Sequence, residues 1–301
     1  MENAAMNEMG LDYELSENER RDVRERYPKV YFPDPILEPL YFGRRDKKRY
    51  EGKKVIVDQA FTGNGAMAFG ICSDSYKVVR YEDIVHMIEN SVGQLTDYGK
   101  IQVCPHTYLE GARLKIGIRF PDMASAIRAV DSIIPKVDVF SSLDLSTKLK
   151  GMFGAWQLKC LNGMGIWKSM AQFSKRHLQN LFLNNLGETI SGGLAIFGTQ
   201  VDSWKNWAST QISKDIYDEI WDELPFSAAE KIKIEALPEI GTNLLLSNAV
   251  NSSSLDLWSL NSILTQWNTH EVKSELRRID LEPVIARVME RTYSRAIGGR
   301  I

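Results

Sequence analysis

The sequence predicts an α+β protein: an antiparallel sheet with β-β-β-α order in the N-terminal half, and a mostly helical C-terminal half. Three observations carry this. Thr62-Gly63-Asn64-Gly65 is hairpin chemistry between the apolar runs VIVDQAF and AMAFGIC, because glycine and asparagine tolerate the positive φ of tight turns. At Glu82 the apolar period changes, and Ile84, Val85, Ile88, Val92 and Leu95 share one helical face. Beyond about Ile166 strand signals fade, and helical ones dominate through KSMAQFSKRHLQNLFLNNL, SWKNWASTQISKDIYDEIWDEL and DLEPVIARVMERTYSRA.

In chain order, Ser16 and Glu19 form an S-x-x-E capping box for a short charged helix. Pro28, Pro33, Pro35 and Pro39 then impose an extended crossing. Tyr76 to Tyr81 reads as the third strand of the β-β-β-α unit. IQVCPHTY and ARLKIGIRF alternate around Glu110-Gly111 as another hairpin, and Met123, Ile127, Val130 and Ile134 mark a helix ending at Pro135. VDVFSS and GAWQLKCL follow as strands, and Ser227-x-x-Glu230 is a second capping box. This gives an N-terminal arm over 1–40, a sheet region over 41–165 and a helical region over 166–301 packed on the sheet.

With 301 residues, 44% hydrophobic and 25% charged, the chain has the composition of a folded protein and excludes collagenous, coiled-coil and disordered classes. Cys72, Cys104 and Cys160 lie far apart, which argues against a disulfide framework or a cysteine zinc site and points to the cytoplasm. No apolar run reaches the ~18 residues of a membrane span. Neither phosphate-loop glycine pattern occurs, and His86, His106, His177 and His270 show no metal-ligand spacing, so neither a cofactor nor a metal is expected.

A formal charge of −2 conceals strong segregation. GRRDKKRYEGKK over 43–54 carries seven Lys/Arg against two acids. Leu145 to Gly187 contains no acid and a charge of +6, whereas Asp215 to Glu239 holds eight acids against Lys231 and Lys233. A basic face supplies affinity for polyanions through counterion release. Aromatics interleave with these cations, which is the chemistry of single-strand binding, where rings stack on bases and cations follow the backbone. The candidate groove comprises Arg44, Arg45, Lys47, Lys48 and Arg49 with Lys148, Lys150, Lys159, Lys175 and Arg176; Tyr50, Trp156 and Trp167 are its candidate stacking rings. Arg287, Arg291 and Arg295 make a cationic stripe on the last helix, read as a solvated face.

Three blocks carry a family resemblance. KKVIVDQAFTGNGAMAFGICSDSYKVVRYEDIVHMIE, FSSLDLSTKLKGMFGAWQLKCLNGM with Lys175-Arg176-His177 after it, and DLWSLNSILTQWNTHEVK resemble, in that order, the phage- and plasmid-borne family known as domain of unknown function 932. Leu145 stands where that family often has glycine, and Gln157 where an arginine usually precedes the cysteine. The resemblance implies a phage or mobile-element origin. The β-β-β-α order followed by helices is also similar to single-strand annealing proteins of the RecT and Erf kind, which form rings or filaments around a basic groove. The expectation is an oligomeric, non-enzymatic protein that binds and anneals single-stranded DNA, with an exonuclease or replication protein as a further partner. Two other classes stay open: an assembly or host-interaction protein joined through opposite charges, and a hydrolase in which Asp138, Asp144, Asn162 and His177 converge.

Overall fold

The Ser16 capping box closes as predicted: its hydroxyl accepts the Glu19 amide at 3.4 Å, and its own amide donates to the Glu19 carboxylate at 2.7 Å. It starts α1 (Glu17–Arg26), which ends just before Pro28. This computed structural model describes residues 14–43, 46–60, 67–129, 131–158, 162–165, 172–175, 184–237, 246 and 255–298; for 162–165, 172–175 and 184–189 it describes the backbone.

The proline-rich crossing becomes a strand, β1 (Pro35–Phe42), which passes through the 40/41 boundary and pairs antiparallel with β2 (Lys48–Asp58). β2 pairs in turn with β3 (Met67–Ser73), giving a three-stranded sheet in the order β1-β2-β3. The predicted strand at Tyr76 to Tyr81 does not form. The Tyr76 amide turns back onto the Ser73 carbonyl at 3.0 Å, and Arg80 is already the N-cap of α2 (Tyr81–Gly93), so β1 supplies the third strand instead. The β-β-β-α order stands. Ile84, Val85, Ile88 and Val92 of α2 are buried on the expected face.

β4 (Gln102–Tyr108) and β5 (Arg113–Arg119) form the predicted hairpin, with Leu109, Glu110 and Gly111 all at positive φ (51°, 54° and 84°). The helix expected over Met123–Ile134 is overturned. A 3-10 turn at Pro121–Met123 leads to β6 (Ser125–Arg128) and β7 (Asp131–Ser142). The apolar spacing that imitated a helix belongs to two strands joined by a turn, and Ile133, Val137 and Val139 face the core with a period of two. Pro135 fits because β5 ends opposite Lys136; its carbonyl still accepts the Phe120 amide at 3.2 Å.

β8 (Leu149–Gln157), β9 (Asn162–Gly165) and β10 (Gln172–Lys175) complete a seven-stranded sheet ordered β10-β8-β7-β5-β4, with β6 paired to β7 and β9 to β8. β10 is a strand inside a segment whose apolar spacing predicts a helix; pairing with Leu149–Met152 of β8 overrides that local preference. The remaining described helices are α3 (Asn184–Trp207), α4 (Lys214–Glu223), α5 (Ala228–Glu235), α6 (Leu257–His270) and α7 (Glu275–Ala296). No described helix is long and apolar enough to cross a membrane. Among the described residues the main hydrophobic core draws on the arm, sheet and helical regions alike, from Leu15 to Met289, and a small second cluster joins Phe140, Met152 and Ile279.

The large sheet has two unlike faces. Leu114, Ile116, Ile118, Ile133, Val137, Val139, Phe153 and Ala155 point into the core. α3 packs tightly on the sheet at Gly193, where an added Cβ would lie 2.2 Å from the Phe153 ring. Gly193→Ala is therefore expected to destabilise the protein by about 1–3 kcal/mol through overpacking, although alanine is the better helix former; a urea titration checks this.

Candidate nucleic-acid interface

The β1–β2 hairpin carries its cations and rings to a common tip. Tyr41 lies opposite Arg49 and Phe42 opposite Lys48, while Pro39 pairs with Lys54, so β2 bulges where the sequence is richest in lysine and glycine. Gly52 accommodates the bulge at φ +75°, and Gly43 at φ +98° lets the turn close, since a Cβ there would sit 2.6 Å from the Asp46 carbonyl oxygen. Tyr41, Phe42 and Tyr50 are 54%, 53% and 50% exposed, and Phe42 meets Tyr50 edge-on at 6.0 Å. Lys47, Lys48, Arg49 and Lys53 are exposed beside them. None of these four makes an ion pair with a described carboxylate. Arg44 and Arg45 lie outside the described residues.

The acid-free window divides. Lys148 is exposed on the β7–β8 turn, and that turn touches the small sheet: a Cβ on Gly70 of β3 would lie 3.4 Å from Leu145 and from the Leu143 carbonyl oxygen. β3 pairs with β2, so the turn bearing Lys148 adjoins the hairpin sheet. Lys175 is placed on β10 opposite Leu149, next in register to Lys148 and Lys150. Lys150 itself is not open: it is partly buried, and desolvation lowers its pKa despite the nearby carboxylates of Asp280 and Glu282. Trp156 is partly buried, with the Arg119 guanidinium 4.2 Å from its ring centroid, which occupies one face of the indole. Lys159, Trp167 and Arg176 lie outside the described residues.

The second face of the large sheet was not legible as a charged cluster. Lys115, Lys136 and Asp138 project from it on β5 and β7, because register pairs Lys115 with Phe140, Gly117 with Asp138 and Arg119 with Lys136. α7 covers them. Lys136 is 3% exposed and contacts Asp138 at 2.6 Å and Glu282 at 2.9 Å, while Lys115 reaches Glu275 at 3.2 Å. Burial by itself would lower the Lys136 pKa, but the two carboxylates outweigh it and raise it. Strict alternation of the charges along β5 and β7 was the available signal, masked by the neighbouring apolar residues.

Asp138 is thereby committed to lysines, and Asp144 to Arg113 at 2.7 Å and to the Ser146 amide at 3.0 Å. Carboxylates already neutralised in this way are poor metal ligands. No cluster of three or more metal-ligating residues occurs among the described residues. Asn162 is placed on β9 with its backbone alone described, and His177 lies outside the described residues.

The acidic segment finds its partners elsewhere. Glu219 and Glu223 of α4 pair with Arg295 and Arg291 of α7, and Glu230 of α5 pairs with Arg277 at 2.8 Å. The stripe expected to be solvated is thus partly consumed by helix contacts, and the hairpin cations are left uncancelled by this acidic segment. Comparison with protein-family models, curated proteins and solved structures finds no match.

Proposed function

We propose that this protein binds single-stranded DNA through the tip of the β1–β2 hairpin and promotes annealing as an oligomer. The observation carrying this reading is the set of three half-exposed rings, Tyr41, Phe42 and Tyr50, standing among Lys47, Lys48, Arg49 and Lys53. Large aromatics usually bury themselves, and rings held out beside cations that pair with no described carboxylate suit bases that have left a duplex stack. The tip carries the reading alone: the turn bearing Lys148 meets β3 at Gly70, which pairs with Ile56, far along β2 from Lys48, and Lys150 is partly buried.

Fluorescence anisotropy of a labelled single-stranded oligonucleotide at two salt concentrations tests the reading. Log affinity should fall against log salt with a slope of roughly 0.7 per phosphate contacted. Lys48→Ala with Arg49→Ala should flatten that slope by about 1.4, whereas Tyr50→Ala should weaken binding by about 1–3 kcal/mol with the slope unchanged. Absence of binding at low salt would overturn the proposal.

A further inference from the structure

We propose that α1 is an exchangeable arm, which leaves its own α2 and docks on the α2 of a second copy of this chain. The docking is mainly polar. Arg20 pairs with Asp83 at 3.2 Å, Arg24 with Glu82 at 2.7 Å and Arg26 with Glu89 at 2.6 Å, while the Tyr27 hydroxyl donates to Glu89 at 2.7 Å. Against these links, Val23 is the single buried residue of α1, joined by Leu15 just before it. These contacts run from Leu15 and Arg20 to Tyr27, so the helix is fastened as a strip. An open groove of about 400 Å³ runs along the seam between the arm, at Glu14 and Arg20, and the body, at Leu37, Tyr76, Arg80 and Asp83. Few apolar contacts and a seam open to solvent are the marks of an element that opens before the rest of the fold.

The chain is anchored again soon afterwards. The Tyr31 hydroxyl donates to Asp58, and the Tyr31 carbonyl accepts the Thr107 hydroxyl at 2.9 Å. The stretch Pro28-Lys29-Val30 between these anchors is a turn, closed by the Val30 amide donating to the Tyr27 carbonyl at 3.0 Å, and it is the hinge that has to open. A second copy presents the same Glu82, Asp83 and Glu89, so an exchanged arm recovers each contact it gave up, and the reciprocal exchange closes a two-fold dimer. No other partner is guaranteed that complementarity.

Charge reversal tests it on the full chain. Arg26 and Glu89 are 46% and 22% exposed at their side chains, so Arg26→Glu and Glu89→Arg are tolerable separately. Each variant alone repels its own arm. Mixed, the arm of the first fits the groove of the second, and the reverse pairing is the native one. Sedimentation of the mixture should show on the order of tenfold more dimer than either variant alone, the effect of two surface pairs turned from repulsion to attraction. Equal dimer in the mixture and in the separate variants, or monomer throughout, overturns the proposal. Should either variant not fold, the native contacts serve: a donor label at exposed Glu25 of one population and an acceptor at exposed Asn90 of another must transfer energy after mixing, and no transfer overturns it. The measurement contains no nucleic acid, so it is independent of the DNA-binding reading.

Discussion

Replacing Lys136 by methionine is expected to lower the free energy of unfolding by about 3–5 kcal/mol, measured by urea denaturation. Lys136 is the shared cation of two carboxylates, Asp138 at 2.6 Å on its own strand and Glu282 at 2.9 Å on α7, and it is 3% exposed. Methionine fills much of the same volume, so the loss is not a cavity effect. It comes from leaving two carboxylates under α7 without their nearest counter-charge. Lys115 compensates only partly, since it stands 3.9 Å from Asp138 and is already held by Glu275 at 3.2 Å. The combined Lys136→Met, Asp138→Leu and Glu282→Leu replacement should recover most of the loss, because burying the complete ion group costs desolvation that its mutual attraction only offsets. If the triple variant is no more stable than Lys136→Met, the cluster contributes through something other than charge.

Trp258→Ala is expected to cost about 3–5 kcal/mol, the range for emptying a buried aromatic site. Trp258 is fully buried, its ring 6.0 Å from that of Trp204 on α3, and its indole N–H donates to Asp131 of β7 at 3.1 Å. It therefore joins three elements: α6, α3 and the sheet. Trp258→Phe separates its two contributions. Phenylalanine keeps most of the ring contact but removes one of the two described side-chain donors to buried Asp131, leaving the Gln157 side-chain amide at 3.1 Å. That variant should lose about 1–3 kcal/mol, the cost of an under-satisfied buried acceptor. Near-ultraviolet circular dichroism with a thermal melt would show whether α6 stays docked.

These two residues also show how far the sequence could be read. Trp258 sits in a helix whose apolar period is plain, and its neighbours Asn261 and Thr265 are buried with it. The role of Lys136 was not legible. Its partner Glu282 lies far along the chain, and nothing in the spacing of either residue points to the other. The same limit separates the good predictions from the overturned ones. Glu110-Gly111 and Ser16-x-x-Glu19 are local devices, closed by atoms within a few residues, and they form as read. Met123–Ile134 and Gln172–Lys175 carry apolar spacings that suit either a helix or a strand, and pairing with β7 and β8 decided between them.

For the candidate interface, the sequence by itself determined the inventory: a run of seven cations interleaved with rings, an acid-free window and a separate acidic stretch. Only the tertiary structure decided which charges remain available. It set Glu219, Glu223 and Glu230 against arginines of α7, sank Lys136 beneath that helix, left Lys150 partly buried near it, and left Lys47, Lys48, Arg49 and the rings around them facing solvent. The physical reason is that a charge's availability depends on what the fold brings within a few ångströms of it, and those neighbours come from strands and helices distant in the chain.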